Sequence, residues 1–393
     1  MTRDVLPIAV AAAGICTFLN LYTPQAILPA LAAEFAVPLH TTGLAVTASL
    51  LAVALVAPFA GAISDVLGRK RLIVGAAVAV IAPTLLVAFS RSLEALLVWR
   101  FLQGLLLPFI FAVTVAYIGE ECEGPAAIRA AGTYASGSIV GGFCGRFVTG
   151  IAADFGGWRL GFLVIAALTA IGAAVVAVTL PTERRFRPMR GGARAMWRDW
   201  REHARNRLLW GTCAVGFGML FSVVATFTFI NFRLAAPPFS LSSSALGSVF
   251  AVYLVGAVTT PLATRLAVRI GRQRTAALAA GVAIVGELVT LVPHLAGVVA
   301  GLVLASAGLF VAQALALGFI GVAVKRARST AVGLYVSTYY VGGALGGILP
   351  GELWHRFGWA GCVALVCVAI AAMGFAAVTT FRDPAPAGRA TTA

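Results

Sequence analysis

Long apolar runs alternate with short polar ones along this whole chain. Each apolar run is about 20 residues, enough for a helix to cross the ~30 Å hydrocarbon core of a bilayer. Lipid offers backbone amides no partner, so such runs are expected to be helical. Ten-residue segments of strict alternation, which would signal a β-barrel, are not seen. The pattern predicts twelve spans. Six lie near 6–30, 41–63, 72–90, 93–118, 130–153 and 159–180, and six more near 208–232, 243–267, 275–294, 296–322, 330–353 and 359–381. The expected organisation is an all-α membrane protein with an N-terminal six-helix bundle (1–180), a basic linker (181–207) and a C-terminal six-helix bundle with a short tail (208–393). The linker holds nine arginines and three acids. In it Met196, Trp197 and Trp200 interleave with Arg194, Arg198 and Arg201, which suits a short helix on the membrane surface. A flexible basic linker fits the same residues.

The two halves repeat. Gly132, Tyr134, Ser136, Gly141, Gly142, Gly145 and Gly150 recur 201 residues later as Gly333, Tyr335, Ser337, Gly342, Gly343, Gly346 and Gly351. Pro58, Gly68, Arg69 and Arg71 recur 203 residues later as Pro261, Gly271, Arg272 and Arg274. An even number of spans separates the copies, so both halves face the same way. The repeat is of the parallel kind, about an axis along the membrane normal. Small residues at helical spacing let backbones approach, and the repeated glycines are expected to let the two bundles touch.

Composition agrees. The chain is 60% hydrophobic and 11% charged, with mean hydropathy +0.96. A soluble domain of this size would lack polar surface. The net charge of +15 sits in short loops, as insertion topology sets it, so nucleic acid is not an expected partner. Four of the cations (Arg91, Arg159, Arg233, Arg356) mark one side, two (Arg100, Arg146) are left within spans, and the rest gather on the other side. This bias predicts both termini in the cytoplasm. The six cysteines have no CxxC or metal spacing and read as packing residues. The histidines His40, His203, His294 and His355 are scattered. No metal, no cofactor and no enzymatic motif such as GxSxG or HExxH is expected.

The loop between spans 2 and 3 reads Gly61-x3-Asp65-x2-Gly68-Arg69-Lys70-Arg71, and span 4 carries Arg100-x2-Gln103-Gly104. These resemble two motifs of the major facilitator superfamily, the second often linked to proton coupling. With span number and central linker the resemblance covers nearly the whole chain. Within the family it is similar to twelve-span bacterial drug/metabolite proton antiporters. It departs from them in span 5, where 137–146 has no proline. The resemblance implies a gate on the cytoplasmic side. Asp65 would face the positive N-terminal end of a neighbouring helix, expected to be span 11. Gly61 and Gly68 would permit the approach, and Arg69 would pair with Glu120 or Glu121. The second copy has Val268 at the place of Asp65, so the gate would be one-sided.

Charges within spans are costly and tend to face a cavity or a partner. Arg146 has Gly347 as its repeat partner, so packing common to both halves does not explain it; it is the first candidate for substrate binding. Asn20, Gln25, Gln103, Asn231, Tyr253, Gln313 and Tyr339 are further candidates, while Arg100 and Glu287 are candidates for proton coupling. Span 1 has no acid in its interior. That absence favours a neutral or anionic substrate, and two cavity arginines would attract a carboxylate or phosphate bidentately. The expected protein is a monomeric secondary transporter of the bacterial inner membrane. It would work by alternating access on a small molecule, with export in exchange for protons. Proton symport of a small organic anion is the alternative. An integral membrane enzyme and a channel are rivals from other classes.

Overall fold

A computed structural model describes residues 5–184, 193–324, 326 and 328–381. Nine of its helical stretches are long and apolar enough to cross a membrane, among the described residues. They hold ten crossings, and the helices Arg272–Val289 and Arg328–Gly346 supply two more, twelve in all. Spans 1 to 4 are Leu6–Phe35, Leu39–Leu67, Arg69–Ala88 and Leu93–Glu121. Gly124–Thr179 holds spans 5 and 6, parted at Gly156 and Gly157, where Gly157 takes φ 77°. Spans 7 and 8 are Arg207–Ala235 and Ser243–Ile270. Span 9 is Arg272–Val289 and span 10 is Leu295–Ala323. Span 11 begins with Arg328–Gly346, and Gly358, at φ 59°, parts its last turns from span 12 within Pro350–Thr380.

Proline accompanies three of the breaks, since it cannot donate to the carbonyl four residues earlier. Pro24 would have served Asn20, and the first helix ends at Leu21, followed by a 3-10 turn over Thr23–Ile27. Pro83 and Pro350 act alike: helices end at Ala79 and Gly346. Pro58, Pro108 and Pro261 lie inside unbroken helices. The break in span 1 places Tyr22 and Gln25 on irregular backbone midway along the span.

The repeated glycines correct one expectation. They mostly pack spans within a bundle. A Cβ on Gly141 or Gly145 would lie 2.6 or 2.4 Å from the carbonyl oxygens of Ile15 and Leu19 in span 1, and Gly137, outside the repeat, meets Ala11 in the same way. In the second half Gly342 and Gly346 meet the carbonyls of Phe217 and Phe221 in span 7 in the same way. Glycine spacing shows that a face is narrow; it does not show which helix lies on it.

Two seams join the bundles, span 2 against span 11 and span 5 against span 8. The Thr47 hydroxyl donates to the Ala344 carbonyl at 2.8 Å, and Ser337 donates to the carbonyl of Ala54. At the ends remote from the basic 61–71 loop the seams close tightly and symmetrically. Gly150 approaches Ser243, and 201 residues on Gly351 approaches His40. Asp154 takes the N–H groups of Ser243 and Ser244, each at 3.0 Å. At the equivalent place the His355 ring meets the His40 ring edge-on, 6.3 Å apart. Toward the basic side, a Cβ on Gly61, Gly119 or Gly132 would meet nothing within 4 Å.

The linker contains a helix, Ala193–Ala204. Its Trp200 stacks on Phe59 of span 2 at 6.2 Å, so the helix docks on protein. The side chains of Arg194, Met196 and Trp197, residues 185–192 of the linker and the tail from 382 lie outside the described residues.

Candidate functional site between the bundles

Arg146 is 2% exposed. Its Nε donates to Gln25 Oε1 at 2.7 Å and its Nη1 to the Gly142 carbonyl at 2.6 Å. The rings of Tyr22 and Phe250 stand 4.5 Å from its Cζ and that of Tyr253 5.0 Å. The local fold explains the gathering. The break in span 1 brings Tyr22 and Gln25 inward. Gly247 lets span 8 approach the Arg146 backbone, a Cβ there lying 2.9 Å from the Arg146 carbonyl oxygen. Phe250 and Tyr253 follow three and six residues later, on the same side of span 8. Gln25 also donates to Thr228 of span 7 at 3.2 Å, so both bundles hold the site. Among the described residues no carboxylate pairs with Arg146 and Nη2 has no acceptor. The phenol oxygen of Tyr253 is buried without a partner. Cation–π contacts stabilise the guanidinium, but a buried cation without a counter-charge is expensive. An anion entering the seam would supply it.

Arg100 is also fully buried, yet its setting differs. Nη1 donates to the Asn20 carbonyl at 2.8 Å, Nη2 to the Leu21 carbonyl at 2.5 Å and Nε to the Ala45 carbonyl at 3.0 Å. The first two are the acceptors orphaned where span 1 breaks, so Arg100 caps that broken helix. Gln103 accepts from Arg100 at 2.7 Å and donates to Thr84 at 2.7 Å. Asn20 joins Thr84 and Thr169 at 2.7 and 2.9 Å. The candidates Asn20 and Gln103 therefore sit with Arg100 inside the first bundle, not with Arg146.

Glu287 lies in the second bundle and is the only buried acid among the described residues. Its Oε1 accepts from Thr226 at 2.6 Å, and its Oε2 is buried with no partner. Asn231 donates to the Phe227 carbonyl at 2.6 Å and leaves its Oδ1 unpartnered. Gln313 donates to the Tyr339 hydroxyl at 3.0 Å.

On the basic face, Arg69 makes a two-pronged contact with Glu120, Nη2 at 2.6 Å and Nε at 3.1 Å. Nη2 also meets Asp65 at 2.5 Å, and Nη1 reaches Ser64. Asp65 is thus engaged with Arg69 and, among the described residues, not with span 11, in this state with the opposite face closed. Glu121 accepts the backbone N–H of Arg184 at 2.9 Å. Gly68 takes φ 91° at the turn into span 3, and Gly61 offers its carbonyl to Arg69 at 3.4 Å.

Tyr22, Phe250 and Thr228 are site residues that sequence reasoning missed. A lone aromatic or threonine in an apolar span carries no signal of its own. The proline two residues after Tyr22 was the usable clue.

Twelve spans in two like halves, with a polar site at their junction, define a membrane carrier. The profile of the Major Facilitator Superfamily matches residues 10–237 and 230–393, and the chain belongs to that family. It is a multi-pass secondary transporter and not an enzyme. It is 34% identical to the inner membrane transport protein YnfM of Escherichia coli K12, over 92% of this chain and 87% of that one. It is 31% identical to an MFS-type transporter, YybF, of Bacillus subtilis 168, over 90% and 88%. The fold superposes on the nucleoside transporter NupG with a TM-score of 0.79 at 15% identity, covering 96% of this chain and 100% of that one.

Proposed function

We propose that this transporter moves a small organic anion across the bacterial inner membrane by alternating access, exporting it in exchange for protons. The observation that carries the reading is Arg146, a buried cation at the junction of the bundles with no carboxylate partner among the described residues. The basic face is the cytoplasmic one in this reading, with both termini on it. Asp65, Gly61, Gly68, Arg69, Glu120 and Glu121 form the cytoplasmic gate. Glu287 takes up the proton, since its Oε2 is buried without a partner. Arg100 acts indirectly, holding the broken part of span 1 that presents Gln25 to Arg146. The direction of export rests on the motif resemblance to proton antiporters. Uptake by proton symport is the second reading, and Arg146 suits it equally.

Purified protein in liposomes enclosing a pH-sensitive dye tests this. A proton gradient is imposed and pools of organic acids, sugars and cationic drugs are added in turn. Acids that drive protons the opposite way to themselves support the proposal. Protons moving with the acid establish the symport reading. A response to cationic drugs or sugars alone overturns the anion.

A further inference from the structure

The charge count and the rings around Arg146 say more about the substrate; the inference rests on the anion reading above. We infer that the substrate carries a single carboxylate on a flat aromatic ring, and that Tyr253 binds the carboxylate together with Arg146.

The charge comes first. Among the described residues the other buried arginines are committed. Arg100 gives Nε, Nη1 and Nη2 to carbonyls and to Gln103 within its own bundle, and Arg69 serves Glu120 and Asp65. Arg146 is left as the one buried cation at the junction among the described residues. A second negative charge on the substrate would be buried there without a counter-charge, which is costly where water is excluded. Dicarboxylates and phosphate are disfavoured on this ground.

The donors come second. Nη2 of Arg146 has no acceptor, and the Tyr253 hydroxyl, on a ring 5.0 Å from the same guanidinium, is buried without a partner. A carboxylate has two oxygens, one for each donor, and a bond to a charged group is among the stronger hydrogen bonds. The Tyr253 hydroxyl, left unmade in a buried place, is an unfavourable resting state that such a ligand relieves.

The walls come third. Tyr22 and Phe250 flank the guanidinium, and the rings continue away from it. Phe18 stands 6.4 Å from Phe111, Phe111 stands 5.9 Å from Tyr340, and Tyr340 stands 5.3 Å from Tyr339. Phe18 precedes Tyr22 by four residues, about one helical turn. Spans 1, 4, 8 and 11 thus supply a run of aromatic faces and edges beside one cation. Flat rings pack on such surfaces by offset stacking and edge contacts.

The test measures thermal stabilisation of the purified full-length protein by benzoate, butyrate, succinate and inorganic phosphate. It uses the unaltered protein, Arg146→Ala and Tyr253→Phe. Benzoate is expected to raise the melting temperature of the unaltered protein, butyrate to do so only at concentrations about tenfold higher, and succinate and phosphate not at all. The benzoate shift should vanish in Arg146→Ala and need about tenfold more ligand in Tyr253→Phe, a change that keeps the ring. Butyrate matching benzoate overturns the aromatic part. Succinate or phosphate matching benzoate, with loss in Arg146→Ala, overturns the single charge while the anion reading stands. Benzoate stabilising Arg146→Ala as well as the unaltered protein overturns the arginine site and the anion reading with it.

Discussion

Asp154 accepts the backbone N–H of Ser243 at 3.0 Å across the boundary between the bundles. With Ser244 on its other oxygen, one carboxylate ties the end of span 5 to the start of span 8. Its equivalent in the other half is the His355–His40 contact. The closed face is therefore held by two different chemistries at places related by the internal repeat. Removing the carboxylate should release one of them. Asp154→Ala is expected to cost the closed state roughly 1 kcal/mol, about a fivefold shift in population. Spin labels at Phe155 and Phe357, both exposed, would report it as a new longer distance. An unchanged distance distribution would contradict the latch.

Gly43 and Gly347 make the matching steric case. A Cβ on Gly43 would sit 2.4 Å from the Gly347 carbonyl oxygen, a backbone atom that has little room to yield. Gly43→Val should keep the protein folded but block closure and abolish transport, with the same labels held at the longer distance. Gly61→Ala adds a methyl to open space in this state and should change its stability by less than about 0.5 kcal/mol.

Arg100→Ala should behave as a folding lesion. It strands the carbonyls of Asn20, Leu21 and Ala45 inside the bundle, a loss of about 3 kcal/mol or more. Lys restores the charge but not the planar fork, so Arg100→Lys should recover only part of it. Thermal unfolding in detergent measures both. A melting temperature unchanged in Arg100→Ala would refute the capping role.

Glu287→Gln separates carrying from coupling. The amide oxygen still accepts the Thr226 hydroxyl, so the bundle should fold. Exchange of substrate across liposomes should persist while its response to an imposed proton gradient disappears. A full gradient response would remove Glu287 from the proton path.

The span pattern and the internal repeat were legible because each depends on residues near one another in sequence: apolar runs of fixed length, and matched glycines at one offset. The break at Leu21 was foreshadowed by Pro24. Its cap was not, because Arg100 stands some eighty residues away and one polar residue in a helix does not announce its partner. The same holds for Tyr22 and Phe250 around Arg146. Span 5 carried the charge that breaks the repeat, so Arg146 was visible, while the rings that surround it were lost among many apolar neighbours. The repeated glycines were visible too, but spacing alone could not tell span 1 from the other bundle. Asp154 went unnoticed since its partners are backbone N–H groups, which no sequence pattern marks.

The most direct test of the whole account is anion counterflow in liposomes with Arg146 replaced. Arg146→Ala should reduce it by a factor of about 10 to 100 or more, as expected for losing a hydrogen-bonded charge. Arg146→Lys should retain a fraction, and thermal unfolding should show both variants folded. Anion counterflow at the unaltered rate in a folded Arg146→Ala protein would contradict the claim that this arginine meets the substrate.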